Sequence, residues 1–351
     1  MKILIATDAW HPQVNGVVRT LTSLARSASA LGADIGFLTP DGFPSMALPT
    51  YPGLRIALPN RREIARRIEQ AVPDAIHIAT EGPIGWMVRA YCRHRKLAFT
   101  TSYTTRFPEY VAVRTGLPLS VGYAVLRHFH AASSTTMVAT DSLRLELGAR
   151  GFRKLGFWTR GVDTELFNPH TPAMLDLPRP VFMTMGRVAV EKNLEAFLSL
   201  DLPGSKVVIG DGPQKAQLVK QYPGAIFLGE KKGADLSSHL AAADVFVFPS
   251  LTDTFGVVQL EAPACGTPVA AFPVIGPKDV IADHPIGAID TDLRSACLRA
   301  LTMSREACRN FALSRSWENS ARQFIGNLTA LQPSRVLRPV RRAPAASAVQ
   351  G

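Results

Sequence analysis

The sequence predicts an α/β protein made of two parallel-sheet domains, on three observations. Short, wholly apolar runs recur and alternate with helical segments, the rhythm of strands covered on both faces by crossover helices. The pattern begins twice, at KILIAT (2 to 7) and again at VFMTMG (181 to 186). At 351 residues the chain is long enough for two full cores.

In chain order, KILIAT is a buried strand ending at Asp8, and AWHPQVNGVVRTLTSLARSASALG is a loop feeding an amphipathic helix. Asn15-Gly16 sits at that junction, where a glycine lets backbone approach a ligand closely. DIGFLTP, RIAL, AIHIAT and AFTTSY read as further strands of the same sheet. Between them, NRREIARRIEQAV (60 to 72) spaces Arg62 and Arg66, and Ile64 and Ile68, four residues apart. One face of that helix is strongly cationic, so it is either a solvated face or a membrane-surface helix. Glu81, Thr104 and Arg106 follow strands and so lie at the carboxyl edge of the sheet, where open α/β folds bind ligands. His77, His128 and His130 belong to no motif. The strand TMVAT and the helix SLRLELGARG lead to FWTRGVDTELFNP, whose Arg160 and Asp163 either fix interdomain geometry or touch ligand. The first domain is assigned residues 1–165.

The second domain, residues 166–314, restarts with VFMTMG, KVVIGDG, AIFLG, VFVFPS, PVAAFPV and IGAID as six strands. Gly210, Gly229 and Lys231 fall at strand ends, the edge at which open α/β folds bind ligands. Asp290-Thr291-Asp292 is a DxD triplet apart from the other motifs and reads as a loop. An amphipathic helix spans 315–332, and the Pro/Ala/Arg-rich tail 333–351 is expected to be disordered.

Two stretches carry chemistry. In GRVAVEKNLEAFLSL (186 to 200), Arg187 and Lys192 flank the start of a helix directly after a strand. Two fixed cations of this kind neutralise a diphosphate without a metal. In PSLTDTFGVVQLEAPACGTP (249 to 268), a strand passes through a glycine loop into a helix, a junction that favours anions. Asp253 and Glu261, with seven residues between them, place one carboxylate on the loop and one in the helix. Ionised carboxylates accept hydrogen bonds from hydroxyls, so phosphate plus hydroxyls describes the ligand. The absence of GxGxxG counts against a dinucleotide oxidoreductase.

Charge adds a direction. The chain holds 39 basic and 28 acidic residues, net +11; residues 1–165 hold 20 and 12 of these, net +8. A basic first domain attracts anionic lipid, and without an aromatic-rich basic stripe nucleic acid is not expected as a partner. No run approaches the length of a membrane span and no secretory signal is read, while the four cysteines show no pairing pattern. A reduced, cytoplasmic protein, peripheral on the inner face of the cytoplasmic membrane, is expected.

The spacing from Asp253 to Glu261, with Phe-Gly after the first acid and Glu-Ala at the second, resembles the Glu-x7-Glu signature of the family 4 retaining glycosyltransferases. So do the Arg187 and Lys192 pair and the Asn15-Gly16 loop. The resemblance implies the GT-B fold, two Rossmann-like domains facing across a cleft, with a C-terminal helix crossing back to the first. It implies a nucleotide-sugar cosubstrate, no other cofactor and no metal. Arg187 and Lys192 would hold the diphosphate, Glu261 the ribose, and Asp253, Phe255, Gly256, Val257 and Val258 the sugar and phosphate. Gly16 would face the reaction centre, with Asp8, Glu81, Thr104, Arg106 and Arg160 on the acceptor side. Asp253 stands where the family has a longer acid, and Thr104 where a histidine is common. TSYTTRFPEY, RGVDTELFNP and TDTFGVVQLEA are most similar to bacterial members that glycosylate lipids, including glycosyl-diacylglycerol synthases and GDP-mannose-dependent α-mannosyltransferases. A hexose or hexuronic acid passed from a UDP- or GDP-sugar to a lipid is therefore expected, diacylglycerol first. A nucleotide-sugar-binding protein without transfer activity, or an epimerase, is the alternative of another class.

Overall fold

The structure, a computed structural model, describes residues 1–11, 16–48 and 51–331. Its first half runs β1 (Lys2–Ala6), α1 (Gly16–Ala30), β2 (Asp34–Leu38), β3 (Ser45–Leu48), β4 (Tyr51–Ala57), α2 (Arg61–Ala71), β5 (Ala75–Ile78), α3 (Pro83–Arg95), β6 (Thr100–Ser102), α4 (Phe107–Thr115), α5 (Leu119–His130), β7 (Thr135–Val138), α6 (Asp141–Ala149) and β8 (Leu155–Phe157). The second half holds β9 (Val181–Met185), α7 (Leu194–Leu198), β10 (Ser205–Ile209), α8 (Lys215–Gln221), β11 (Ile226–Gly229), α9 (Gly233–Ala242), β12 (Val245–Phe248), α10 (Val258–Ala264), β13 (Val269–Ala271), α11 (Pro277–Val280), β14 (Gly287–Ile289), α12 (Leu293–Ala300), α13 (Arg305–Leu313) and α14 (Trp317–Asn327). Asn15 and the tail expected to be disordered lie outside the described residues.

Each half forms a six-stranded sheet, β2-β1-β5-β6-β7-β8 and β11-β10-β9-β12-β13-β14, with every pairing parallel. β12 is apolar throughout, and β1 is apolar after Lys2, because helices cover both faces, leaving no solvent side to alternate toward. In the first sheet the strand order reverses between β1 and β5; in the second it reverses between β9 and β12. Chain leaving those neighbouring strands diverges to opposite faces and opens a crevice at their carboxyl ends.

Two expectations are corrected here. The RIAL segment lies in β4, which pairs antiparallel with β3 in a separate hairpin and not in the main sheet. The connection is too short for the crossover that a parallel pair requires. The sequence reading places no strand between the helix SLRLELGARG and FWTRGVDTELFNP, yet β8 lies there, ending at Phe157 and forming the edge of the first sheet.

After α13 the chain returns to the first half. Val162 N–H donates to Arg315 O at 2.9 Å, and a Cβ on Gly161 would stand 2.4 Å from Trp317 N, so only glycine permits this crossing. Beyond it α14 buries Ala321 and Phe324 against α1, β1 and Trp158. The Trp158 indole donates to Ser320 Oγ at 3.0 Å, and that hydroxyl donates to Thr159 O at 2.7 Å. Among the described residues no helix is long and apolar enough to cross a membrane. All four cysteines are free and buried.

Candidate active site

The reversal points of the two sheets gather the chemistry. At the second, Gly186 and Arg187 leave β9, and a short 3-10 turn, Val190–Lys192, follows. The loop 249–257 leaves the adjacent strand β12. Lys192 Nζ lies 2.8 Å from both carboxylate oxygens of Asp253. Burial alone would depress the Lys192 ammonium, but Asp253, Tyr110 and Glu191 outweigh it and hold its pKa above the ordinary value. Asn193, in the left-handed region at φ 52°, donates to Pro249 O at 3.0 Å and ties the two loops together. Arg187 is exposed beside them.

Gly256 has φ +77°, and a Cβ there would stand 2.7 Å from Phe248 Cζ. The following turn leads into α10, where Glu261 is 3 % exposed. One Glu261 oxygen is held by the Arg19 guanidinium of α1, across the interface between the halves. The other is buried without a hydrogen-bond partner among the described residues. Burial pushes the carboxyl pKa up and Arg19 offsets part of that shift. Phe255 is buried, Val257 and Val258 half-buried. Gly210 follows β10 so closely against Gly186 O that a Cβ would come within 1.9 Å, and its N–H donates to Gly229 O at 2.8 Å. Lys231 pairs with Asp235 at 3.1 Å.

On the facing side, Gly16 opens α1, and no atom of the described residues lies within 4 Å of a built Cβ. Asp8 serves the fold: it accepts from Thr80 Oγ1 at 2.9 Å, Ile84 N at 2.8 Å and Gly85 N at 3.2 Å, tying β1 to the first turn of α3. Burial, helped by nearby Glu81, raises its pKa above the ordinary value, and those three hydrogen bonds offset only part of the shift. Glu81 is 7 % exposed and lies 3.1 Å from His130 Nε2, whose Nδ1 meets Thr101 Oγ1 at 2.9 Å. The second Glu81 oxygen has no hydrogen-bond partner among the described residues. Thr104 reaches Ala79 O at 3.3 Å, while its carbonyl accepts from Thr254 Oγ1 at 2.8 Å, directly joining the two loops across the cleft.

Two expected acceptor-side residues are committed elsewhere. Arg106 is clamped between Glu109 and Glu146. Arg160 is buried over the Trp158 ring at 4.1 Å and donates to Trp158 O; burial lowers its pKa to about 9. It does border a cavity of about 220 Å³ between the halves, with Thr140, Asp141, Phe255, Asp279 and Arg315. The Asp290 and Asp292 carboxylates are structural as well, one paired with Arg299 at 3.0 Å and one capping α12.

Three participants carried no sequence signal. Arg19 is 242 residues from Glu261 and looks like any arginine on an amphipathic helix. Tyr110 hydrogen-bonds Thr252 and feels Asp253 and Lys192; burial first, then Asp253, raises its pKa. His130 is identified only by its partner Glu81.

Two family models cover most of the chain: Glycosyltransferase Family 4 matches residues 14–166, and Glycosyl transferases group 1 matches residues 179–301. The chain belongs to the family 4 glycosyltransferases. This glycosyltransferase is 26 % identical to a GDP-mannose-dependent alpha-mannosyltransferase of Mycobacterium tuberculosis, over 95 % of its own chain and 98 % of that protein. It is 25 % identical to the alpha-monoglucosyldiacylglycerol synthase of Streptococcus pneumoniae, over 92 % and 83 %. Among solved structures, the sucrose-phosphate synthase of Thermosynechococcus elongatus superposes with a TM-score of 0.72 over 93 % of this chain and 97 % of that one, at 19 % identity. The fold is GT-B, with the C-terminal helix crossing back to the first domain.

Proposed function

We propose that this glycosyltransferase moves a hexose or hexuronic acid from a nucleotide-diphosphate sugar to a lipid acceptor, diacylglycerol in the first instance, at the surface of the cytoplasmic membrane. The observation that carries the donor half is the meeting of Lys192 with Asp253, beside Arg187, at the strand-order reversal of the second sheet. Cations fixed there stabilise the charge that develops on a departing diphosphate, so no metal or other cofactor is required. Glu261 receives the ribose hydroxyls through its unpartnered oxygen. Asp253 and the backbone from Phe255 to Val258 line the sugar and phosphate, with Gly210, Gly229 and Lys231 toward the base.

Transfer proceeds with retention. The acceptor hydroxyl attacks from the face the diphosphate leaves, its oxygen forming the new bond to the anomeric carbon as the old carbon–oxygen bond breaks. The departing phosphate takes the hydroxyl proton, so no side-chain base is needed. A lipid acceptor is supported by the basic first domain and by likeness to a diacylglycerol-lipid synthase. The likeness to a GDP-mannose-dependent enzyme over nearly the whole chain supports a second reading, mannosyl transfer to another glycolipid or glycan.

The test is mass spectrometry of lipids after incubation with diacylglycerol vesicles and, separately, UDP-glucose, UDP-glucuronic acid, UDP-galactose and GDP-mannose. A hexosyl or hexuronosyl increment with one donor is expected. Nucleotide release without a lipid product would keep the transferase and remove the lipid acceptor. Tight donor binding with neither product nor release would favour a non-catalytic binding protein.

A further inference from the structure

Of the two readings left open for the basic helix α2, its packing favours the solvated face. In α2, Ile64 and Ile68 are buried in the core, and Arg66 and Arg67 are paired with Glu63. The exposed residues of α2 itself, Arg61, Arg62, Arg66 and Gln70, are all polar.

A different element has that chemistry. Phe107, Val111, Leu117, Leu119, Val121 and Val125 are each exposed by 38 to 51 %, and all lie in the hairpin made by α4 and α5. α5 already spends one face on the core through Tyr123, Leu126 and Phe129. Helical spacing puts Val121, Ala124, Val125 and His128 on the opposite face, where a water-facing helix would carry polar residues. The hairpin from 107 to 128 contains one carboxylate, Glu109, and it is turned inward onto Arg106 and Tyr123. No acid on these helices therefore opposes an anionic surface.

Cations complete the pattern. Arg127 is exposed on α5, and a groove of about 430 Å³ at the C-terminal ends of α3 and α5 is lined by Arg89, Arg93, Lys96 and His128. His128 belongs both to this groove and to the outer face of α5, so the apolar face and the basic groove are continuous. Apolar side chains beside clustered cations fit acyl chains beside acidic head groups. Tyr110, on α4 between Phe107 and Val111, reaches the loop of Thr252 and Asp253. One helix thus borders both the apolar surface and the reaction cleft.

We propose that the α4–α5 hairpin is the surface on which the enzyme docks to anionic bilayers, with Val121 and Val125 entering the interface and head-group phosphates at the basic groove. The proposal rests on the lipid-acceptor reading, which it deepens by giving the acceptor a path along α4.

The experiment is co-sedimentation of the full chain with vesicles of phosphatidylcholine alone or mixed with phosphatidylglycerol. The double variant Val121→Glu/Val125→Glu is compared with Arg61→Glu/Arg62→Glu on α2, folding being checked by circular dichroism. The hairpin variant is expected to weaken binding to the anionic vesicles about tenfold or more, and the α2 variant to change it far less. Arg93→Glu/Lys96→Glu is expected to abolish the preference for phosphatidylglycerol. Unchanged vesicle binding by the hairpin variant, or no binding by the native chain, overturns the proposal. So does a dimer in size-exclusion chromatography that the hairpin variant dissolves, since a second copy would then own this face. Transfer to short-chain diacylglycerol in detergent micelles tests the acceptor separately: its absence from the native chain removes the lipid acceptor whatever the vesicles show, and its persistence in the hairpin variant shows the active site intact.

Discussion

Lys192 is held by both oxygens of Asp253, so removing either partner strips a charge from a part-buried pair. Lys192→Ala and Arg187→Ala are each expected to lower kcat by about 10²- to 10³-fold in steady-state assays, with smaller changes in KM for the donor. Near-native turnover by both variants would remove them from the mechanism. Gly256→Ala meets two obstacles, a left-handed φ and a Phe248 ring 2.7 Å from the new Cβ. Activity is expected to fall with it, and thermal stability by about 1 to 3 kcal/mol. His77 is buried between Thr100 Oγ1 at 2.9 Å and Ser102 Oγ at 3.1 Å. Burial first, then Arg160 and His130, lowers its pKa from 6.5 to about 3. A depressed histidine contributes its full stability above pH 6.5 and loses it as pH falls toward 3, because the unfolded state takes up the proton first. At roughly 1.4 kcal/mol per unit the loss amounts to a few kcal/mol over that window. Urea unfolding of the native chain should therefore weaken more between pH 7 and pH 4 than that of His77→Gln; parallel curves would refute this. The sequence exposes such residues unevenly. Lys192 and Asp253 were readable because each sits in a local motif, whereas Arg19 and Tyr110 act only through pairings that the fold creates.

At the scale of elements, α14 shows what a short amphipathic helix does when its apolar face meets another domain. Phe324 is fully buried, 4.9 Å from both the Trp158 and His77 rings. Phe324→Ala is expected to cost about 3 to 5 kcal/mol in chemical denaturation, because the cavity opens between rigid strands and α1. A loss below about 1 kcal/mol would mean that α14 is not a structural clasp. Most strands were legible since a strand buried on both faces is a plain apolar run, and VFMTMG or VFVFPS admits little else. RIAL misled because an apolar run does not reveal whether its partner is parallel; the nearness of β3 decided that. α2 was left open for another reason. Its arginine count was visible, but the pairing of Glu63 with Arg66 and Arg67 depends on rotamers that spacing alone does not determine.

Across the whole molecule, the two halves are joined at several polar contacts besides the returning α14. Arg19 reaches Glu261, Thr254 reaches the Thr104 carbonyl, and the Ser142 N–H reaches Asp279 Oδ1 at 2.9 Å. A donor bound in the cleft adds contacts to the folded state alone, so the cognate nucleotide sugar should raise Tm in proportion to the logarithm of its concentration. Differential scanning fluorimetry with the four donors checks this, and identical melting with all of them would contradict a donor site here. The Thr254 contact carries one more implication. It grips the main chain of residue 104, and main chain is common to every amino acid. Closure of the two halves is thus insulated from whatever side chain stands there. The side chain at position 104 can therefore be exchanged without removing the acceptor on which this joint between the halves depends.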